Sequence, residues 1–206
     1  MTVSTIKGLA LAGLSALALT GCVSLLPETE PVAVYRLSSP EPRQADGEVD
    51  RVIVEIERPM APAGLNGDEI AIQVSDQHLA YMAGARWISP APSLVQNLVI
   101  DTFHSDDTGI DPVRPADAVR GEYELRLDLR EFEAAYDQGA DAAPVVRVRI
   151  AARLIRESGR EFVGSQVFSA EVRARENRAG AIIDAFNAAS SQAVDDLARW
   201  TADSTG

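Results

Sequence analysis

The stretch YELRLDL at residues 123–129 alternates between large apolar and charged side chains. In an extended strand this period of two places the apolar side chains on one face and the charges on the other. The stretch VVRVRIAARL at residues 145–154 repeats the pattern with its arginines outward, and ESGR at 157–160 turns the chain into a third strand that runs through Val172. We therefore predict an antiparallel meander with one dry face and one wet face.

Opposite charges on the wet face predict cross-strand ion pairs. Glu124 and Asp128 project outward from the first strand of the meander, and Arg147 and Arg149 project outward from the second. Opposite-charge pairs of this kind stabilise a sheet by a few tenths of a kcal/mol each, roughly. We expect these acidic residues to pair with these arginines.

Other segments surround the meander. Ser89-Pro90 predicts a helix start, with Ser at the cap and Pro in the first turn, and apolar residues at helical spacing extend this helix to His104. Spacings of three and four from Ile182 to Trp200 predict a long amphipathic C-terminal helix across the dry face. Shorter strands are predicted at residues 32–37, 51–57, 69–75 and 78–82, and a loop at 105–115. The fold class is α/β of the α+β type, with a mixed, largely antiparallel sheet and two main helices.

The N-terminus has the pattern of a secretory signal. Lys7 is the only charged side chain before an apolar run at residues 8–19. About a dozen apolar residues are fewer than the roughly 20 that a membrane-spanning helix needs. The run ends in Leu19-Thr20-Gly21-Cys22, which resembles the bacterial lipoprotein box, and Cys22 is the only cysteine of the chain.

The lipoprotein box implies cleavage between Gly21 and Cys22, with a diacylglyceryl group on the Cys22 thiol and a further acyl chain, such as palmitate, on the new amine. The alternatives are a secreted protein with an incidental cysteine and a buried core thiol. Two or more acyl chains hold a protein stably on a membrane. The domain plan is a signal peptide at 1–21, the lipidated cysteine and a Pro-containing linker at 22–32, and a single domain at 33–206.

Composition excludes some classes of function. The 206 residues carry 19 basic and 31 acidic side chains, a net charge of −12. This balance repels phosphate backbones, so no nucleic-acid partner is expected. The two histidines, His78 and His104, lack metal-ligand spacing, and the sequence has no nucleophile elbow, P-loop or dinucleotide fingerprint. We expect no enzyme activity, no metal and no cofactor.

Three side chains are candidates for a protein interface. Trp87 lies beside loop prolines and is either a core residue or an anchor for a partner or a second copy, because Trp is enriched at interfaces. Met60 and Leu65 stand among Pro and Gly in the segment 58–68 and are expected to be exposed. That segment is either a docking edge or only a loop, and a homo-oligomer stays open.

The order of the elements and several short strings resemble the ABC-type transport auxiliary lipoprotein family, whose members are similar to the paraquat-inducible outer-membrane lipoprotein. The resemblance covers nearly the whole mature chain. It rests on the lipoprotein box, Tyr35-Arg36-Leu37, the strand before Pro59, Leu65 leading into the Ile70 strand, Ala85-Arg86-Trp87 before a proline and a helix, the meander and the closing helix.

The resemblance implies a role in lipid transport. An MCE-domain protein that bridges the periplasm, an ABC permease and an ATPase are the implied partners. Val23 stands where an inner-membrane retention signal usually has Asp, which implies a lipid anchor on the periplasmic face of the outer membrane. The alternative function is that of an outer-membrane assembly or envelope-bridging scaffold lipoprotein.

Overall fold

The computed structural model describes residues 31–41, 51–75, 77–105 and 108–206, and residues from Val32 onward form one compact unit. The strands are β1 (Ala33–Tyr35), β2 (Val52–Ile56), β3 (Glu69–Ser75), β4 (His78–Trp87), β5 (Ile110–Val113), β6 (Tyr123–Ala135), β7 (Val145–Arg156) and β8 (Glu161–Arg173). The helices are α1 (Ala91–Ser105) and α2 (Ala179–Thr205). The predicted α+β class, with two helices and a long C-terminal one, is confirmed.

Strands β6, β7 and β8 form the predicted antiparallel meander. The β6–β7 ladder runs from Tyr123 opposite Arg156 to Ala135 opposite Val145. The β7–β8 ladder extends along the whole of both strands. The side chains that the alternation assigned to the dry face are buried, with Leu125 and Ile150 both fully inaccessible to solvent.

The second edge of β6 pairs with two different strands, one near each end. Near its start β6 pairs in parallel with β2, which in turn pairs with β5. Near its end β6 pairs in parallel with β3, which continues through β4 to β1. Just before β6, a Cβ atom at Gly121 would stand 2.8 Å from the Tyr123 carbonyl oxygen and 3.0 Å from the Glu55 amide nitrogen of β2. Only glycine avoids both contacts, so this residue permits the close approach of β2 to the start of β6.

Helix α2 covers the dry face of the meander, as predicted. The rings of Phe132, Phe186 and Trp87 pack against one another with centroid separations of 5.0 to 5.5 Å. Farther along α2, Trp200 packs on Phe168 of β8 at 5.7 Å. Full burial of an apolar side chain stabilises a fold by roughly 1.5–3 kcal/mol, so the buried rings of this layer contribute strongly to stability.

Helix α1 begins one residue later than the sequence suggested. The Ile88 amide still donates a hydrogen bond to the Tyr35 carbonyl, at 2.7 Å, so the chain remains attached to the sheet at that point. The Pro90 carbonyl accepts the first helical hydrogen bonds, from Ser93 and Leu94. Ser89 is therefore not the cap, and Pro92 rather than Pro90 occupies the first turn.

The predicted loop at 105–115 contains a strand, so that prediction was wrong. Ile110 to Val113 pair in parallel with β2, and Ile110 is fully buried. Pro112 suggested a loop because proline cannot donate to a ladder. The strand tolerates Pro112 because β5 lies at the edge of the sheet, where one side of its backbone has no strand partner.

Strand β4 is longer than the predicted segment 78–82. It continues to Trp87 after an irregularity in which Glu69 pairs with Arg86 while Ala71 pairs with Tyr81. Gly84 lies in this irregular stretch with a φ of 67°, a conformation that side-chain-bearing residues rarely adopt. The apolar residues after Met82 thus belong to the sheet and lead into the buried Trp87.

Candidate docking face

The sheet has one face without a covering helix in the described part of the chain. We call this the open face; it is the face of β6–β8 opposite to α2, and it carries the outward residues of the meander. Within the described residues, α1 and α2 both contribute their buried side chains to the single core on the other side. The open face therefore leaves the outward side chains of three long strands accessible to a partner.

A row of ion pairs crosses the open face. The pairs are Arg153 with Asp128 at 3.0 Å, Arg149 with Glu131 at 3.3 Å, Arg147 with Glu171 at 3.6 Å and Arg126 with Glu124 at 2.5 Å. Exposed pairs contribute roughly 0–1 kcal/mol each, so their main effect is to fix the positions of the long side chains. The face offers paired charges in a regular arrangement.

The ion pairs exist, but the partners differ from those predicted. The start of the first strand in a hairpin faces the end of the second, so Glu124 lies opposite Ile155 and Asp128 opposite Ala151. Arg147 and Arg149 lie near the start of β7 and reach Glu171 and Glu131 instead. Opposite charges do pair on one face, as predicted. The predicted partners were wrong because the strands pair in a different register.

Burial and neighbouring charges shift several pKa values on and around this face. Burial, with a smaller contribution from Glu131, raises the pKa of the Glu133 carboxyl. Burial also raises the pKa of Glu55, whose neighbours include other carboxylates. In contrast, hydrogen bonds from the Arg173 guanidinium lower the pKa of Asp137. These opposite shifts follow from burial in the first two cases and from ion pairing in the third.

Met60 presents its side chain on the open face. Its amide donates to the Leu127 carbonyl at 2.8 Å, and its carbonyl accepts from the Leu129 amide at 2.7 Å. Met60 thereby pairs with Asp128, yet 66% of its surface remains accessible. A shallow groove of about 270 Å³ lies beside it, bordered by Arg153 among others. The backbone of an exposed apolar residue is thus held in place among paired charges.

Hydrogen bonds fix the segment 58–68 against helix α1 and within itself. Arg58 donates hydrogen bonds to the Ser93 hydroxyl and to the Asn66 side chain, at 3.2 and 3.1 Å. Leu65 follows in a 3₁₀ turn (Ala63–Leu65) and is only 7% exposed, so the expectation of an exposed Leu65 was wrong. The turn directs this side chain into the core, which leaves Met60 as the exposed apolar residue of the two.

Trp87 is a core residue in the folded chain. Only 1% of its surface is accessible, and its ring contacts Phe132 and Phe186. The core alternative agrees with this burial, and an interface role for the Trp87 side chain would require the core to open. Trp87 therefore adds no surface to the open face.

Two exposed apolar residues of β8 were not predicted from the sequence as candidate interface residues. Phe162 is 62% and Val167 is 49% exposed. A bulge shifts the register so that Leu154 pairs with Gly164 but Ile155 pairs with Phe162, which places Phe162 on the open face. The alternation of β8 is sufficient to predict that Val167 faces outward. It does not predict the same for Phe162, because the bulge between Phe162 and Gly164 interrupts the alternation.

The predicted lipidation and cleavage positions, Cys22 and Gly21, lie outside the described residues. Among the described residues, no group of three His, Cys, Asp or Glu side chains could hold a metal ion. His78 and His104 are both exposed and lie in separate elements, β4 and α1. In the same part of the chain, no helix combines the length and the apolar character that crossing a membrane requires.

An open face of this composition is suited to protein contact. Exposed apolar side chains among polar ones mark interaction sites, in which an apolar centre is surrounded by a polar rim. Met60, Phe162 and Val167 supply apolar contacts here, and the ion pairs supply the rim. The described residues therefore define an α+β domain whose sheet has one covered face and one open face, the second carrying exposed apolar and charged side chains.

Comparison with known protein families identifies the family of the chain. The family model of the ABC-type transport auxiliary lipoprotein component matches residues 35–198, and the chain belongs to this family. The match spans β2 to β8, α1 and the first 20 of the 27 residues of α2, so it confirms the resemblance seen in the sequence. The family is one of transport auxiliary lipoproteins rather than of enzymes, and membership indicates a membrane-anchored location in the cell envelope.

Three individual proteins that the chain resembles are less than 30% identical to it over the matched residues. A Bradyrhizobium diazoefficiens protein, the uncharacterized protein bll6063, is 29% identical over 115 residues, which is 56% of this chain and 30% of that one. The chain thus spans less than a third of the length of this relative. The crystal structure of protein XCC0632 from Xanthomonas campestris has a TM-score of 0.73 at 22% identity, over 84% of this chain and 97% of that chain. A second crystal structure, of an uncharacterized protein, has a TM-score of 0.66 at 17% identity, over 84% and 99% of the chains. These likenesses concern the fold.

Proposed function

We propose that this chain is the lipid-anchored auxiliary component of an MCE-type ABC transporter and docks its periplasm-spanning lipid conduit at the outer membrane. The observation that carries the proposal is the family match over residues 35–198. The ABC permease, the ATPase and the MCE-domain protein of the same system are the proposed partners. The acyl chains on Cys22 would hold the protein on the periplasmic face of the outer membrane.

The proposed division of the chain into a lipid anchor, a linker and a folded domain would suit this role. A linker of about ten residues between Cys22 and the first strand reaches about 33 Å when extended. The folded domain could therefore stand clear of the membrane surface while remaining tethered to it. A partner rooted in the other membrane would then meet a domain whose freedom to diffuse is limited to the outer membrane.

The open face supplies the proposed contact surface. Met60 is held by two backbone hydrogen bonds to β6, so little conformational freedom of its backbone remains to be lost on binding. The neighbouring pair of Arg153 and Asp128 would lie at the polar rim of the contact. We propose that the end of the lipid conduit rests on this face.

The second candidate function is that of an outer-membrane assembly or envelope-bridging scaffold. The same binding face and lipid anchor would serve a scaffold, and the two functions differ only in the partner. Identifying the partner therefore decides between them.

The experiment is affinity purification of the lipidated protein from crosslinked envelopes, with partners identified by mass spectrometry. Recovery of an MCE-domain protein together with its permease and ATPase is the expected result. Recovery of outer-membrane assembly components without an MCE-domain protein would favour the scaffold. A chain with Cys22→Ser, which cannot be acylated, is the matched control for membrane anchoring and should lose the complex.

A further inference from the structure

The three edge strands of the described sheet differ in how well they are protected. Strand β5 has four residues and contains Pro112, and β1 has only three residues. Strand β8 has thirteen residues without Pro or Lys and pairs with β7 alone in the described chain. Short length, Pro, charged side chains and bulges all hinder edge pairing. Strand β8 has a bulge at Val163 and charged residues only near its two ends, so its stretch from Gly164 to Ala170 is long, regular and uncharged.

The outer edge of β8 has backbone groups in position to bond another strand. The Ala174 amide donates to the Pro144 carbonyl at 2.9 Å, in continuation of the β7–β8 ladder. Because bonded and non-bonded pairs alternate in an antiparallel ladder, the even-numbered residues from Gly164 onward direct their backbone groups toward β7. Ser165 and Val167 accordingly direct theirs outward.

The exposed apolar residues of β8 complement each other across a two-fold axis. Phe162 lies opposite Ile155 of β7, and Val167 lies opposite Ala151, four ladder positions away. Ser165, opposite Arg153, is midway between them. In an antiparallel pair of β8 strands centred on Ser165, Phe162 of each copy therefore faces Val167 of the other on the open face.

We propose that a second copy of this chain pairs with β8 in this register. The pairing covers the two most exposed apolar side chains of the strand, and an aromatic residue opposite a β-branched one is a favourable cross-strand pair. Gly164 lies one position from the axis, where its missing side chain permits close approach. The product is a symmetric dimer in which two open faces form one continuous surface.

Charge supports the same register. Arg160 stands just before β8 with its side chain 63% exposed, and its nearest carboxylates lie 3.7 and 3.8 Å away. In the proposed pair Arg160 comes beside Ser169 of the second copy and diagonal to its Glu171, whose side chain is 60% exposed. The two-fold axis repeats this favourable contact on the other side.

The first test is disulfide trapping of the lipoprotein in its own oxidising envelope. Two Ser165→Cys side chains on the axis would have Cα atoms about 5.5 Å apart, within the range of a disulfide. Ser169→Cys is the matched control on the same face of β8, because its two copies would lie roughly 27 Å apart at 3.4 Å per residue. Non-reducing immunoblots should show a dimer for Ser165→Cys alone, and the parent chain with only Cys22 gives the background.

The second test is a charge exchange that depends on the register. Phe162→Glu and Val167→Lys should each lower the trapped dimer at least about tenfold, and the combined variant should restore it, because each new carboxylate then faces a new ammonium group. Both positions are exposed, so thermal unfolding should be nearly unchanged and will report any loss of folding.

Equal trapping at Ser165→Cys and Ser169→Cys, or a combined variant as defective as the single ones, would overturn the proposal. The inference does not rest on the transport function: a failed recovery of transporter partners leaves the disulfide result unaffected, and the reverse also holds.

Discussion

The two faces of the meander are built from the same three strands, yet they differ in every physical respect. The covered face is largely apolar, and its Leu127 and Ile150 belong to the same buried core as Phe186 of α2. The open face carries ion pairs, and between them Met60 and Phe162 are more than half exposed. An alternating sequence thus places the buried core on one side of a single sheet and the proposed contact surface on the other.

This separation means that the two faces should respond differently to substitution. Changes on the covered face should alter the free energy of unfolding and leave binding specificity intact in the folded fraction. Changes on the open face should alter partner contacts with little cost in stability.

The largest effect is expected from Phe186→Ala on the covered face. Phe186 is fully buried and its ring lies 5.1 Å from Trp87 and 5.0 Å from Phe132, so the substitution leaves a cavity. The expected loss in the free energy of unfolding is about 3–5 kcal/mol, measured by denaturant titration. Asp184→Ala, exposed on the same helix, should change it by less than about 0.5 kcal/mol. Similar losses for both variants would contradict the account.

A smaller effect is expected from the pair of Asp128 and Arg153 on the open face. A double-mutant cycle with alanine at both positions should give a coupling energy of about 0.2–1 kcal/mol, because the arginine side chain is half exposed at 51%. The coupling should fall as salt is added, since ions screen exposed charges. A coupling that persisted at 1 M salt would show that the pair is better protected than its exposure indicates.

The smallest effect is expected from Glu133→Gln, and it should be stabilising at neutral pH. Burial raises the folded-state pKa of Glu133, so folding favours its protonated form. The contribution of this group is complete below its unfolded pKa and is lost as the pH rises through its folded pKa. The variant should therefore unfold at a higher temperature than the parent at pH 7 and at nearly the same temperature near pH 3. A lower unfolding temperature at pH 7 would mean that the contact with Arg147 outweighs burial.

Sequence reasoning predicted the meander, both helices and the two unlike faces, because periods of 2 and 3.6 report directly on which side chains are buried. It failed where the outcome depended on pairing between distant segments. Strand β5 forms because it can pair with the edge of β2, and the residues 110–113 themselves do not indicate that this partner strand is present.

The candidate site was less predictable than the fold. Met60 was found because it is an apolar residue among loop-forming ones, but the same argument misplaced Leu65, whose direction is set by a single 3₁₀ turn. Phe162 was missed because a bulge reverses the alternation just before it. The ion-pair partners of Asp128 depended on the register, which is fixed by the whole β6–β7 ladder.

The central claim is that the open face contacts the transporter, and site-specific photocrosslinking in living cells tests it most directly. A benzoylphenylalanine side chain would be placed at Met60 on the open face or at Asp184 on the outer side of α2, both of which are exposed. The account predicts ultraviolet-dependent crosslinks from position 60 to the MCE-domain protein and none from position 184. Crosslinks to that protein only from position 184, or from neither position while the complex still copurifies, would contradict it.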